Sequence, residues 1–540
     1  MTKVLLIGID GGTWKILNPA IEQGYMPCLK EMVETGASGV LVSTIPAITP
    51  AAWGTFQTGV NPGANGVFDF SYWDKKQKRH RYVNSNSLQE TIWQSASNAG
   101  KRVGVLNVPM TYPPYEVKGY MVTGILTPSI DSEFTYPAEI KEQLLSAVPG
   151  YHIFNLGNTK KEFMYTKFES LVERIISILD SRTKAAEFVI NKGPLDLFMV
   201  HFQANDILQH MLWGYLDEDH PLYNQAKRDY IFDRYYKYLD SRIDYIRQTF
   251  KNTTGDDYLT IIVSDHGFET HFKRINLGNW LAQEGFLKVN PQPSHPNLLK
   301  SATRKLGVGK FLKRFIPEYI VDRTEKKLKI STDYFSWRDS RAFSVGRSDD
   351  GFIYLLEEED EQRRKTTSSL IEKLKALRDA ETSSEVVKKV YLKEDIFHGD
   401  LMDIMPDLII EPVTGYSCTG GIQPDEGLFH KVHPGSDFHI GKHHPNGIII
   451  ANGPNIRQQK TIQAQLIDIM PTLSYYMRLP ISKNLDGRVV RELFTKEFTS
   501  RNPTPERIDK KFIKEGSRQK GYTAEDENII QQRLKELGYM

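Results

Sequence analysis

Five short apolar runs are the most regular feature of the chain: Val4–Ile9, Arg102–Val108, Leu195–Val200, Leu259–Val263 and Gly447–Ala451, each bounded by polar or turn-forming residues. Near-continuous apolarity over so short a span is what a strand buried on both faces requires. Between the runs lie stretches of helical periodicity, notably Leu171–Asn191 and Tyr223–Phe250. Strand and helix in alternation predict an α/β fold, with an open, mostly parallel sheet sandwiched by helices.

Two segments break the pattern. Residues 286 to about 339 are rich in Pro and Lys, and from Lys300 to Lys329 ten Lys or Arg face three acidic residues. A solvated insertion or lid is one reading; a basic flap over an anionic substrate, or a segment that seeks an anionic surface, is the other. After Arg501 the chain ends in a Leu/Ile pattern that Thr523 would cap, with Glu525, Asp526 and Glu527 in the first turn. That tail reads as structural.

Composition adds bounds. The 540 residues are 40% hydrophobic and 25% charged, enough for a large core. A net charge of +2 gives no reason to expect a nucleic-acid partner. Cys28 and Cys418 allow one disulfide at most, and no apolar run approaches the roughly 18 residues of a membrane span. The N-terminal apolar run is too short for a signal segment and leads directly into Asp10-Gly11-Gly12, so the expectation is a cytoplasmic protein.

The candidate chemistry sits where apolar runs end. Asp265-His266 closes one run and Asp10 another, and the carboxyl edge of a parallel sheet is where α/β proteins place ligands. Such residues also serve as ordinary polar strand ends. Thr49-Pro50 reads as a helix start, with Thr49 at the N-cap and Pro50 at the first helical position. That hydroxyl either caps its helix or, beside a metal, acts as a nucleophile at an anion-binding helix end. Asp206 and His210 are four apart, one face of a helix, and serve equally as a metal pair or a surface pair. A histidine-dense stretch, His430 to His444, precedes the last apolar run.

Taken in order, these pieces resemble the alkaline phosphatase superfamily, in particular its type I phosphodiesterase/nucleotide pyrophosphatase branch. Thr49 stands nine residues ahead of Thr58-Gly59, and Asn61-Pro62 and Asn65-Gly66 look like the loop that follows. Asp206-x-x-x-His210, Asp265-His266 and His443-x-x-x-Gly447 match the ligand motifs; Asp468–Leu473 and Leu485–Arg488 resemble the closing segments. The likeness covers roughly residues 3 to 495. It implies an alkaline-phosphatase-like core in two parts, 1–285 and 440–499, an inserted basic lid and small α+β cap subdomain at 286–439, and a helical tail at 500–540.

The resemblance further implies two divalent metal ions. One would be held by Asp206, His210 and His443, the other by Asp10, Asp265 and His266 with Thr49; His439 and His444 compete for the last imidazole. Three carboxylates and three imidazoles suit Zn²⁺, and Mn²⁺ is tolerable. The implied activity is metal-dependent hydrolysis of phosphodiester or pyrophosphate bonds in a small-molecule ester, through a Thr49 nucleophile and an in-line, two-metal mechanism. A phosphomonoesterase or phosphomutase of the same superfamily is the alternative, and a non-catalytic binding protein of the same fold a more distant one. Peripheral membrane contact through the basic insertion belongs to the same set of expectations; the oligomeric state is left open. One departure from the family stands out: where nucleotide pyrophosphatases carry an Asn, this chain has Phe68-Asp69-Phe70. The phenyl rings would form an apolar wall or belong to the core, and Asp69 would have to be protonated or turned away from phosphate.

Overall fold

A computed structural model of the chain describes residues 2–153, 166–290, 335–423, 426–433, 437, 439–509 and 521–537. Most of the basic stretch expected as a lid falls outside them. The centre is a nine-stranded sheet in the order Lys460–Gln465, Ala37–Val42, Asn446–Asn452, Tyr258–Val263, Lys3–Ile9, Leu197–Phe202, Val103–Leu106, Gly119–Val122, Thr135–Tyr136. Neighbours run parallel, except that Asn446–Asn452 lies antiparallel to both its partners and Thr135–Tyr136 to its one.

Strand Lys3–Ile9 explains why the apolar runs are continuous. Leu5, Ile7 and Ile9 enter one core with the helices Phe168–Ile190 and Lys237–Thr254, while Val4 and Leu6 enter a second with Trp53 and Phe56 of helix Thr49–Thr58. The two-residue period therefore feeds opposite layers, and both must be apolar. At about 1.5–3 kcal/mol for each fully buried large apolar side chain, these strands stabilise the sheet from both sides. Gly8 has a different task. A Cβ there would stand 2.7 Å from Trp53 Cη2, so the bare backbone lets helix Thr49–Thr58 settle onto the sheet.

The helices differ in detail from the sequence reading. The expected Tyr223–Phe250 helix starts at Gln225, where the Asn224 side chain accepts the Lys227 N–H, and runs to Thr254 through a π-helical turn at Phe232–Tyr236. Ile48, in extended conformation, is the N-cap of the helix expected to be capped by Thr49, so Thr49 is its first residue. The tail helix Ala524–Leu537 has the expected cap, Asp526 donating its N–H to Thr523 Oγ1 at 3.1 Å.

Among the described residues three smaller sheets complete the fold, one of them the antiparallel pair Ser71–Asp74 and Arg79–Tyr82. Strand Gly267–Asn276 leaves the site edge and pairs with Gly415–Thr419, Phe429–Lys431 and Gly441–His444. A four-stranded sheet orders Ala342–Phe343, Gly351–Leu355, Leu408–Pro412 and Val387–Leu392. Among the described residues no helix is long and apolar enough to cross a membrane.

Candidate active site

Parallel pairing aligns the strand ends. Gly8 is opposite Val263 and Ile9 opposite Phe202, so Asp10, Asp265 and the start of helix Ala204–Leu216 emerge at one edge. That helix carries Asp206 and His210 on one face. Gly441–His444 runs antiparallel to Gly267–Thr270 and sets His443 opposite Phe268; its ring stacks on His266 with centroids 3.7 Å apart.

All seven residues singled out from the sequence meet here. Asp206, His210 and His443 form one group and Asp10, Asp265 and His266 another, with the ligand atoms of each within 4.8 Å of one another. Thr49 Oγ1 is 3.4 Å from His266 Nε2, on the side of the second group. His443 rather than its rivals turns toward the carboxylates: His444 Nδ1 accepts the Asn446 N–H, and His439 donates from Nε2 to the Leu537 carbonyl at 2.7 Å. His439 still contributes, since its ring stacks on His210 at 3.9 Å.

The donor set fits cations. Each imidazole places Nδ1 on a main-chain carbonyl: His210 on Gly441 at 2.9 Å, His443 on Ala47 at 3.1 Å, His266 on Gly267 at 3.1 Å. The Nδ1–H donates there, so Nε2 presents its lone pair to the site, as metal-binding histidines do. His210 Nε2 and His443 Nε2 then face each other at 2.9 Å, both 3.3–3.4 Å from Asp206 Oδ1. Two ring nitrogens so close need a shared positive charge, which a proton supplies when no metal is bound: against burial, Asp349 and Asp206 raise His443 above its ordinary value. In the other group, the buried oxygens Asp10 Oδ1 and Asp265 Oδ2 accept no hydrogen bond. Such atoms are costly unless an ion satisfies them.

Electrostatics agree. Burial, then the charges of Asp265 and Asp206, raise the Asp10 carboxyl well above its ordinary value. Burial and Asp206 push Asp265 up to about 8. Burial works the same way on Asp206, but His210 and His443 overrule it and hold that carboxyl well below the usual range. The His266 ring is held neutral by burial and by His443. A carboxylate cluster with too little positive charge of its own is a setting for divalent cations.

Two neighbours were not singled out from the sequence. His201 Nε2 lies 2.8 Å from Asp10 Oδ2, on the strand beside it; a histidine inside an otherwise apolar run was a readable signal. Asp349, from the loop before strand Gly351–Leu355, accepts the His443 backbone N–H at 2.8 Å. Nothing periodic marks that position. Phe68 and Phe70 sit in core clusters, Phe68 packing edge-on to Phe352, so they are not a substrate wall. Asp69 is turned onto the Phe70 N–H at 2.7 Å.

A sequence model of the type I phosphodiesterase/nucleotide pyrophosphatase family matches residues 4–445. No curated protein matches the chain significantly by sequence. Among solved structures, murine ectonucleotide pyrophosphatase/phosphodiesterase 5 aligns with a TM-score of 0.50 at 15% identity, over 92% of this chain and all of the other (100%). An inactive threonine-to-alanine form of that murine protein, in complex with AMP, aligns at 0.50 with 14% identity over the same 92% and 100%. Phosphonoacetate hydrolase from Sinorhizobium meliloti, in complex with phosphonoacetate, aligns at 0.52 with 13% identity, over 88% of this chain and 95% of the other. The sandwiched, mostly parallel sheet is thus the alkaline-phosphatase-like fold.

Proposed function

Because the chain belongs to the type I phosphodiesterase/nucleotide pyrophosphatase family, hydrolases of the alkaline phosphatase superfamily, we propose that it cleaves phosphodiester or pyrophosphate bonds in small-molecule esters with Thr49 as nucleophile. Two divalent cations would complete the site, one on Asp206, His210 and His443 and one on Asp10, Asp265 and His266. The observation that carries this reading is the Thr49 hydroxyl itself, buried, first in its helix, bound to no capping N–H, and 3.4 Å from His266 Nε2. Bound cations would lower the pKa of that hydroxyl and stabilise the charge that develops on the departing oxygen.

The chain's own groups do the rest. Thr49 Oγ1 forms the bond to phosphorus as the leaving oxygen departs in line, giving a phosphothreonine that water cleaves from the vacated side. By helix geometry the first-turn N–H groups of Thr49 and Ala51 have no partner within the helix, and the N-terminal end attracts the non-bridging oxygens. Arg182 is buried but committed to the carbonyls of His201 and Ile153. With that guanidinium engaged, a diester, which carries one charge on the transferred group, suits the site better than a monoester with two. The mixed nitrogen and oxygen donors favour Zn²⁺, with Mn²⁺ also compatible.

Domain layout and setting belong to the same proposal. The ligands fall in 1–285 and 440–499, the two parts read as catalytic core, with 286–439 inserted between them and 500–540 as a tail. Buried, unlinked Cys28 and Cys418 suit a cytoplasmic protein. Contact of the basic insertion with an anionic surface would weaken as salt is raised.

The test is hydrolysis of bis(p-nitrophenyl) phosphate and of p-nitrophenyl phosphate by metal-analysed protein, beside Thr49→Ala. About two metal ions per chain, diester preference, and at least a ~10³-fold loss of kcat in the variant are expected. Monoester preference would move the protein to the phosphomonoesterase side. A fully active Thr49→Ala protein would remove Thr49 as nucleophile.

A further inference from the structure

The loop from Gly346 to Gly351 reaches the candidate site from a different part of the fold than its ligands do. Arg347–Ser348 is anchored antiparallel to Cys418 and Thr419, and Gly351 begins the next strand. Between these anchors, Asp349 projects onto His443. Its Oδ2 accepts the His443 backbone N–H at 2.8 Å and lies 3.4 Å from Nδ1 of the same ring, beside the Ala47 carbonyl that the ring also meets. The loop thus braces the ligand strand, and His443 in turn meets the segment that leads into Thr49.

We propose that Asp349 is a positioning residue for this site: it fixes the His443 ring by its backbone and its Nδ1 edge, so that Nε2 points at Asp206 and His210. The inference rests on the two-metal reading above, and it adds a residue from outside the ligand motifs. A carboxylate beside the far edge of a ligating imidazole raises its basicity, and losing such an outer partner costs about 10–100-fold in metal affinity. The neighbouring Lys442 does not provide this support. Its Nζ is committed to Glu269 Oε1 at 2.7 Å, on the other side of the strand.

The experiment is a Zn²⁺ titration of metal-stripped full-length protein against a chromophoric chelator, for wild type, Asp349→Ala and Asp349→Asn. Wild type is expected to take up two ions. Asp349→Ala should weaken one of them by about 10–100-fold and leave the other within about twofold; Asp349→Asn, which keeps shape and an acceptor but loses charge, should weaken the same ion by about tenfold. Far-UV circular dichroism checks that each variant is folded, and if the Ala variant is not, the Asn variant decides. Wild-type affinity in the folded variants, or equal weakening of both ions, overturns the assignment of Asp349. Two ions in wild type with unchanged variants would sink only the role of Asp349, whereas no stoichiometric binding in wild type would sink the two-metal reading and this inference with it.

Discussion

Asp69 shows what a single side chain contributes. It is 7% exposed, its Oδ1 accepts the Phe70 N–H, and burial pushes its carboxyl up to about 7 despite that bond. A folded-state value raised above the unfolded one means stability that is full below about pH 4 and is lost as pH rises through about 7. Asp69→Asn, which keeps the acceptor and never ionises, should therefore gain on wild type as pH goes from 5 to 8, by at most about 3 kcal/mol. Urea unfolding of both proteins at the two pH values measures this; a difference that does not change with pH would sink it. The sequence placed this carboxyl beside Phe70, which is in register with the family's Asn, and required it to be protonated or turned away from phosphate. It is turned onto the Phe70 N–H. Asp349 was illegible for the opposite reason: a carboxylate in an irregular loop has no spacing to give it away, and only the tertiary fold brings it to His443.

For the secondary-structure elements, the decisive contact is between strand Lys3–Ile9 and helix Thr49–Thr58. Gly8→Ala would set a methyl 2.7 Å from Trp53 Cη2 and 3.2 Å from His201 Cδ2, forcing the helix outward. Overpacking of this kind costs about 1–3 kcal/mol. Because Thr49 begins that helix, kcat toward a diester should fall further than the loss of folded protein explains. A kcat per folded molecule equal to wild type would mean the helix absorbs the methyl without moving Thr49. The sequence located this helix to within one residue, since Thr-Pro marks a start but not which residue caps it. With Ile48 extended and Thr49 already helical, the hydroxyl is not turned back onto its own helix. Its partner is His266 instead.

Across the whole molecule, the tail is more than an appendage. Ile530, Leu534 and Leu537 share a core cluster with Ile48, Ala51 and Phe70, and the Leu537 carbonyl receives His439, whose ring lies over His210. Leu534→Asp, which places a charge at a position 1% exposed, should undock the helix at a cost of about 3 kcal/mol or more. Limited proteolysis should then remove the tail first and diester turnover should drop; a tail as resistant as in wild type would contradict this docking. The sequence made the helix and its cap legible but not its destination. Amphipathic spacing tells which face is apolar and nothing of what covers it. Among the histidines the spacing of His443 to Gly447 already favoured His443, and the register of Gly441–His444 against Gly267–Thr270 sets it opposite Phe268, at the site.

The three imidazoles that face the carboxylates all rest their far nitrogens on main-chain oxygens, of Gly441, Ala47 and Gly267. A side-chain acceptor can vanish with one codon; a carbonyl survives any substitution at its own residue. The aim of the His210 and His266 rings is therefore insulated from point mutation nearby, whereas that of His443 depends also on Asp349. Drift in the surrounding sequence can remodel the walls of the cleft, and with them the choice of substrate, while the orientation of those two rings is inherited unchanged.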